Sequence, residues 1–432
     1  MQVTLINPPS PFLIDERMFP PLGLLYVASS LEKAKIDVDV LDLNGIAAYE
    51  NEVTKTAEKS ENNIFGISST TPQFPVAIRI LKAIKSVKPE SMVIIGGPHP
   101  SVQPQSCDMF DKIVMGEGEN AIFKALEKGG EKYIDSSKAD SLISDLDTIA
   151  FPARHLIDMK SYHYEINNEP ATSIITQRGC PFGCAFCCGR YIPYYRNVRY
   201  RSPENVRREL EELNNRYGFK AFMFYDDEFN LNKRRTIELC EHIKPLGIIF
   251  RCFVKAELFD EEIAKAMRNA GCFEILSGVE SGSERLLKYR IKKHTTPEIN
   301  SRTRKLAKQH GIRFKALMSI GHPGEDEESI LATKQWLLDN APDDFDITII
   351  QPYPGSSLYD HPEDFPDLIY SKPDFDSEVA FYKGKIGEYR SYVRTPKLTE
   401  KEISHWRDEI EIEVRKKLGI PFPTKQTKKT NL

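Results

Sequence analysis

Short apolar runs alternate with helical stretches twice along the chain, and a polar, Asp- and Ser-rich stretch separates the two series. Runs of this kind suit parallel strands buried on both faces, which need a crossover helix between each neighbouring pair. The first series predicts strands over 2–6, 37–41, 64–68, 92–95 and 112–115, with a helix over 22–34. That pattern reads as a doubly wound, Rossmann-like sheet whose ligands sit beyond the carboxyl ends of the strands. The second series predicts strands near 172–176, 221–225, 248–254, 273–277, 313–319 and 346–351. Helices fall between them near 203–217, 233–243, 260–270, 297–309 and 326–338, two of them announced by Ser202-Pro203 and Thr296-Pro297. This second pattern predicts an open, partial (β/α)6 barrel, also with its function at the carboxyl ends of its strands.

An α/β chain of 432 residues is long enough for two such domains. The expected organisation is a Rossmann-like domain over 1–135, a linker over 136–168, a barrel over 169–370 and a small C-terminal extension over 371–432. In the extension, a helix near 400–418 carries an apolar stripe of Ile403, Trp406, Ile410, Val414 and Leu418, read as a packing face. The tail around Lys425, Lys428 and Lys429 reads as frayed. A net charge of -4 gives no basic excess for nucleic acid. The first thirty residues, broken by five prolines, do not read as a signal peptide, and no run of about 18 apolar residues suggests a membrane span. A cytoplasmic protein is expected.

Three of the eight cysteines, Cys180, Cys184 and Cys187, fall within eight positions, in a loop directly after the first strand of the second series. Clustered soft ligands on a glycine-bearing loop suit an Fe-S cluster or zinc. A closed zinc site wants four ligands, and no second Cys or His pair is visible, so three thiolates would leave one iron of a cubane open. Cys107, Cys240, Cys252 and Cys272 read as small buried hydrophobes, and Cys188 as a neighbour of the cluster ligands. Two non-enzymatic readings stay open at this point: an electron carrier and a zinc-binding interaction module.

Cys180-x3-Cys184-x2-Cys187, with Phe186 before the last cysteine, resembles the signature of the radical S-adenosylmethionine (SAM) superfamily. The resemblance implies a [4Fe-4S] cluster on these three residues. It also implies SAM on the open iron, an electron from a flavodoxin- or ferredoxin-type reductant, and a deoxyadenosyl radical that abstracts hydrogen from a small-molecule or peptide substrate. It places SAM contacts at Asp226, Asp227 and Glu228 after the second barrel strand, at Arg251 on the third, and at Glu280 and Ser281 after the fourth. Gly321-His322-Pro323-Gly324-Glu325 and Pro352-Tyr353-Pro354-Gly355-Ser356 match positions near the adenine. No acid or base catalyst stands out among the carboxylates, or in the aromatic and basic stretch Tyr191, Tyr194, Tyr195, Arg196, Arg199, Tyr200 and Arg201.

With a Rossmann-like domain ahead of the barrel, the chain resembles the cobalamin-binding class of that superfamily. The resemblance implies cobalamin contacts at Asn44, Ser68, Ser69, Gly96, Gly97, Gly116 and Glu117, all at strand ends. Asn44 stands where D-x-H-x-x-G places a cobalt-ligating histidine, so no imidazole from this loop is expected beneath the metal; His99 reads as a loop residue. The implied activity is cobalamin-dependent methyl transfer to an unactivated carbon. The alternative is a cobalamin-independent radical dehydration, cyclisation or rearrangement.

Overall fold

The computed structural model describes residues 2–10, 12–61, 63–138, 141–189, 192–371 and 386–422. Strands β1 (Gln2–Asn7), β2 (Asp37–Asp42), β3 (Ile64–Ser68), β4 (Met92–Gly96), β5 (Lys112–Met115) and β6 (Tyr133–Asp135) form one parallel sheet in the order β2-β1-β3-β4-β5-β6. Helices Leu22–Lys33 and Gly118–Ala125 cover one face, burying Leu24, Ala28 and Ile122 against Val3, Leu5 and Val114. On the other face Val53, Ala57, Val76 and Ile80 pack on Ile6, Phe65, Ile67 and Ile95. Connections leave β1 in opposite directions to β2 and β3, which opens a crevice at the carboxyl ends of β1 and β3.

Residues 136–168, expected as a linker, carry three 3-10 turns and a strand, β7 (Glu165–Ile166), paired antiparallel with β8 (Glu169–Ile174). The ribbon β9 (Gln177–Arg178) and β10 (Arg199–Tyr200) follows. Beyond it come β11 (Ala221–Phe224), β12 (Ile249–Phe253), β13 (Cys272–Glu280), β14 (Arg313–Ile320) and β15 (Asp344–Ile349). The second sheet runs β15-β14-β13-β12-β11-β8-β7, with all neighbours parallel except β7. Its helices start where the capping residues say: Ser202 accepts the Asn205 N–H at 3.1 Å and Thr296 the Ile299 N–H at 3.2 Å. The helix Glu400–Leu418 lies along β15, where Ile403, Ile410 and Val414 join the barrel core. Trp406 and Leu418 are half-buried on the same core. Arg407 Nε and Arg415 Nη2 donate to the carbonyls of Ile347 and Phe345 at 3.1 and 2.7 Å. Among the described residues no helix is long and apolar enough to cross a membrane. The frayed tail expected around Lys425 lies outside the described residues, as does Tyr191.

Candidate functional site

The three cysteines sit on a loop whose ends are joined by the ribbon β9–β10. Gly179 opens the loop with φ +94°, and a Cβ there would lie 2.4 Å from the Asn197 carbonyl oxygen, so only glycine fits. Inside, the Cys180 N–H donates to Tyr195 O at 2.7 Å, Cys187 N–H to Cys184 O at 3.1 Å, and Ala185 N–H to Ile291 O at 2.9 Å. Phe186 packs on Leu286, Leu287 and Ile291 and faces the His322 ring at 5.9 Å. All three cysteines are free thiols. Burial pushes Cys180 up to about 12 and raises Cys184 and Cys187 as well, so a metal must displace their protons. Three thiols on a loop fixed at both ends fit a cluster that takes three sulfur ligands. Cys188 is half-buried beside them, and Cys107, Cys240, Cys252 and Cys272 are core residues.

Carboxylates and lysines surround this loop, in an arrangement that departs from the expected one. Asp226 does not reach the site: it is buried and accepts from Thr176 N–H, Thr176 Oγ1–H and Gln177 N–H at 2.6, 2.5 and 3.0 Å, which holds the chain leading into the loop. Asp227 opens to the adjoining cavity. Glu228 has a buried oxygen, Oε2, without a hydrogen-bond partner; burial pushes its carboxyl up to about 7 against the pull of Lys293 and Lys255.

Lys255 is buried with its ammonium 4.5 Å from the Phe182 ring, and ion-pairs with Glu257 at 3.2 Å. Lys293 donates to Gly278 O at 2.5 Å and pairs with Glu280 at 3.0 Å. Neither lysine belongs to a motif, and sequence reasoning missed both.

Glu280 is held at φ +62°. Burial opposes its charge, but Lys293 and Ser319, whose Oγ–H donates to it at 2.7 Å, hold the carboxyl below its usual range. Ser319 in turn meets His322 Nε2 at 2.8 Å, and burial holds His322 down to about 4. Ser281 is turned away, buried against Thr333 Oγ1 at 3.1 Å, where it accepts the Ser283 N–H and shapes the turn. Arg251 is taken by an ion pair with Glu274 at 2.8 Å and a hydrogen bond to Tyr164 Oη at 3.0 Å. The β7 hairpin, which the sequence did not reveal, brings Tyr164 there.

At the carboxyl end of β14, Glu325 is fully buried. Its Oε2 accepts the N–H groups of Gly321 and His322, while Oε1 has no hydrogen-bond partner. Burial pushes this carboxyl up to about 8 in spite of the two N–H donors. The folded chain therefore keeps the proton at pH values where the unfolded chain has released it. Stability from this group is complete below the ordinary carboxylate range and falls as pH rises toward 8. Thermal melts should show Glu325→Gln gaining about 2 kcal/mol on the parent between about pH 6 and 8. A gap that stays constant with pH would refute this protonation. Beyond the end of β15, Gly355 packs closely, its missing Cβ 3.0 Å from Cys188 O and 2.7 Å from Val102.

A cavity of about 410 Å³ joins the crevice of the first sheet to the cluster loop. Gly23, Gly66, Ser68, Gly96, Gly97 and Gly116 form its wall on the first sheet's side; Arg178, Gly179, Tyr194, Tyr195, Tyr225 and Asp227 form it on the other. A Cβ on Gly66 would lie 2.7 Å from Leu5 Cδ2, so the sheet surface here is bare backbone. This glycine cradle fits part of a corrinoid, and among the described residues no histidine lines it.

Two expected contacts fall elsewhere, and a third is already engaged. Asn44 is outside the cavity because Arg17 pairs with Asp42 at 2.6 Å and donates to Asn44 O at 2.8 Å, which covers that turn. Ser69 is buried behind the glycine pair, its backbone bonded to Gly96 O and His99 N–H, both at 2.9 Å. Glu117 lines the cavity, but its carboxylate is taken by Arg178 and Arg199. His99, expected in a loop, is buried in the short helix Pro98–Val102, between Thr71 Oγ1 and Ser106 Oγ and stacked on Phe74.

The chain matches the Radical SAM superfamily over residues 174–337 and the B12 binding domain over residues 16–126. It is 32% identical over 385 residues to an uncharacterized methyltransferase of Pyrococcus horikoshii, which spans 84% of this chain and 83% of that protein. It is 28% identical over 369 residues to the anaerobic magnesium-protoporphyrin IX monomethyl ester cyclase of Rubrivivax gelatinosus, spanning 79% of this chain and 66% of the cyclase. Among solved structures, the radical S-adenosylmethionine methyltransferase TsrM of Kitasatospora setae, bound to cobalamin and a [4Fe-4S] cluster, shares the fold with a TM-score of 0.69. The two are 18% identical, over 86% of this chain and 81% of that one.

Proposed function

We propose, from the premise that this chain belongs to the radical SAM superfamily and to its class with an N-terminal B12-binding domain, that it transfers a methyl group to an unactivated carbon of a small molecule. The observation that carries this reading is the single cavity lined both by the glycine loops of the first sheet and by Arg178, Gly179 and Asp227 of the cluster loop's surroundings. When bound, the [4Fe-4S] cluster and SAM supply a hydrogen-abstracting deoxyadenosyl radical and cobalamin supplies the methyl group.

The chain's own residues bind and orient. Cys180, Cys184 and Cys187 hold the cluster. Glu228, with its unpartnered oxygen, would receive the ammonium of SAM's amino acid end, and Lys255 and Lys293, the cations that act on Glu228, would meet its carboxylate. Glu280 keeps Lys293 in place. Ser68, Gly96, Gly97 and Gly116 let the backbone approach the corrinoid, and Asp227 and Tyr225 are left open to the substrate side of the cavity. The same reading includes a flavodoxin- or ferredoxin-type electron donor and a cytoplasmic setting.

The test is an anaerobic reconstitution with iron, sulfide and hydroxocobalamin, followed by reduction with SAM present. Retained corrinoid, with both S-adenosylhomocysteine and deoxyadenosine formed, is the expected result. The first product records a methyl group leaving SAM and the second a sulfur–carbon cleavage by one electron. Deoxyadenosine without retained corrinoid would overturn methyl transfer in favour of cyclisation, dehydration or rearrangement.

A further inference from the structure

Arg178 and Arg199 are direct register partners across the ribbon that joins the ends of the cluster loop. Like charges in that position repel, and a ribbon of two residues per strand cannot hold itself together. A carboxylate from the first domain binds both. Glu117 Oε1 lies 3.0 Å from Arg178 Nη1 and 2.8 Å from Arg199 Nη2, and Oε2 lies 2.7 Å from Arg199 Nη1. Glu119 adds an ion pair to Arg178, whose guanidinium stacks over the Tyr26 ring at 5.1 Å. The loop is pinned a third time where Tyr194 Oη–H donates to Asp135 at 2.7 Å and its ring fills the space beside Gly116. Residues 116–119 are also cavity wall. One four-residue segment, the turn after β5 and the start of the helix Gly118–Ala125, would thus form part of one cofactor's site and the anchorage of the other's.

We infer that Glu117 is a positioning residue which, through Arg178 and Arg199, fastens both ends of the cluster loop to the cavity wall, so that cluster and corrinoid strengthen each other's binding. The inference rests on the corrinoid reading above. A ligand that fixes residues 116–119 fixes the ribbon, and linkage makes the effect reciprocal: an assembled cluster must tighten the corrinoid by the same factor.

The experiment titrates hydroxocobalamin into the full chain with the cluster built and again after the iron is chelated. In the parent chain the cluster should tighten binding roughly tenfold, within the range of ordinary coupling between sites. In Glu117→Gln the ratio of the two dissociation constants should fall to within about twofold of unity. A purely structural role would weaken both measurements alike and leave the ratio unchanged. If Glu117→Gln does not fold, Arg199→Lys is read the same way, because it keeps the charge and loses the two-pronged contact. Equal affinities in the two states of the parent, or a variant ratio equal to the parent's, overturn the inference. A parent that binds no hydroxocobalamin in either state refutes the corrinoid reading, and this one with it.

Discussion

Replacing any one of Cys180, Cys184 and Cys187 by alanine is expected to abolish deoxyadenosine formation and to drop bound iron from about four per chain to a small fraction of that. On the proposed ligand set the cluster would hang on three sulfurs, so one lost thiolate would leave two points of attachment. The loop itself should survive. Its shape comes from Gly179, from the Cys180 N–H to Tyr195 O bond and from the Ala185 N–H to Ile291 O bond, none of which involves a cysteine side chain. Cys188→Ala is the control and should keep iron and product. Anaerobic reconstitution, iron analysis and deoxyadenosine quantitation would decide it. An alanine variant at Cys184 that keeps full iron, or a Cys188 variant that loses it, would refute the ligand set.

The second large effect is expected at Gly23. This residue lies in the helix Leu22–Lys33, faces the cavity, and has no atom within 4 Å of the position a Cβ would take. The Cβ of a phenylalanine there meets open space, and its ring would take up volume in the cavity that Gly23 lines. Hydroxocobalamin should bind about a hundredfold more weakly, or about 2.7 kcal/mol. Thermal stability should be unchanged or raised by up to about 0.5 kcal/mol, since glycine is a poor helix former. The separation matters because most other cavity glycines cannot serve: at Gly116 a Cβ would lie 2.2 Å from Ser136 Oγ, and a substitution would disturb the fold itself. Parent affinity in a well-folded Gly23→Phe chain would place the corrinoid elsewhere.

Much of the fold is legible where local chemistry decides it. The helices Pro203–Tyr217 and Pro297–Gln309 begin at their Ser-Pro and Thr-Pro signals, and the stripe of Glu400–Leu418 is buried as its spacing demands. Strands β6 and β7 are only three and two residues long, too short for any period to show, and they exist because a neighbouring strand edge was available. The site follows the same division. Three cysteines within one loop announce themselves. Asp226 and Glu228 look alike in sequence, and what separates them is Thr176, fifty residues away, whose N–H and hydroxyl claim the first and leave the second. Lys255 and Lys293 come together only through packing, and the partners of Glu117 lie 61 and 82 positions distant.

The outer edge of β15 has a quieter consequence. A half-barrel that stops at a sixth parallel strand exposes a row of backbone carbonyls, an invitation to pair with another molecule's strand. Here the invitation is withdrawn without a seventh parallel strand. The guanidinium groups of Arg407 and Arg415 occupy the carbonyls of Ile347 and Phe345, and Glu411, between them on the same helix, pairs with both arginines. The half-barrel can therefore end at its sixth parallel strand without offering these two carbonyls to another chain's strand.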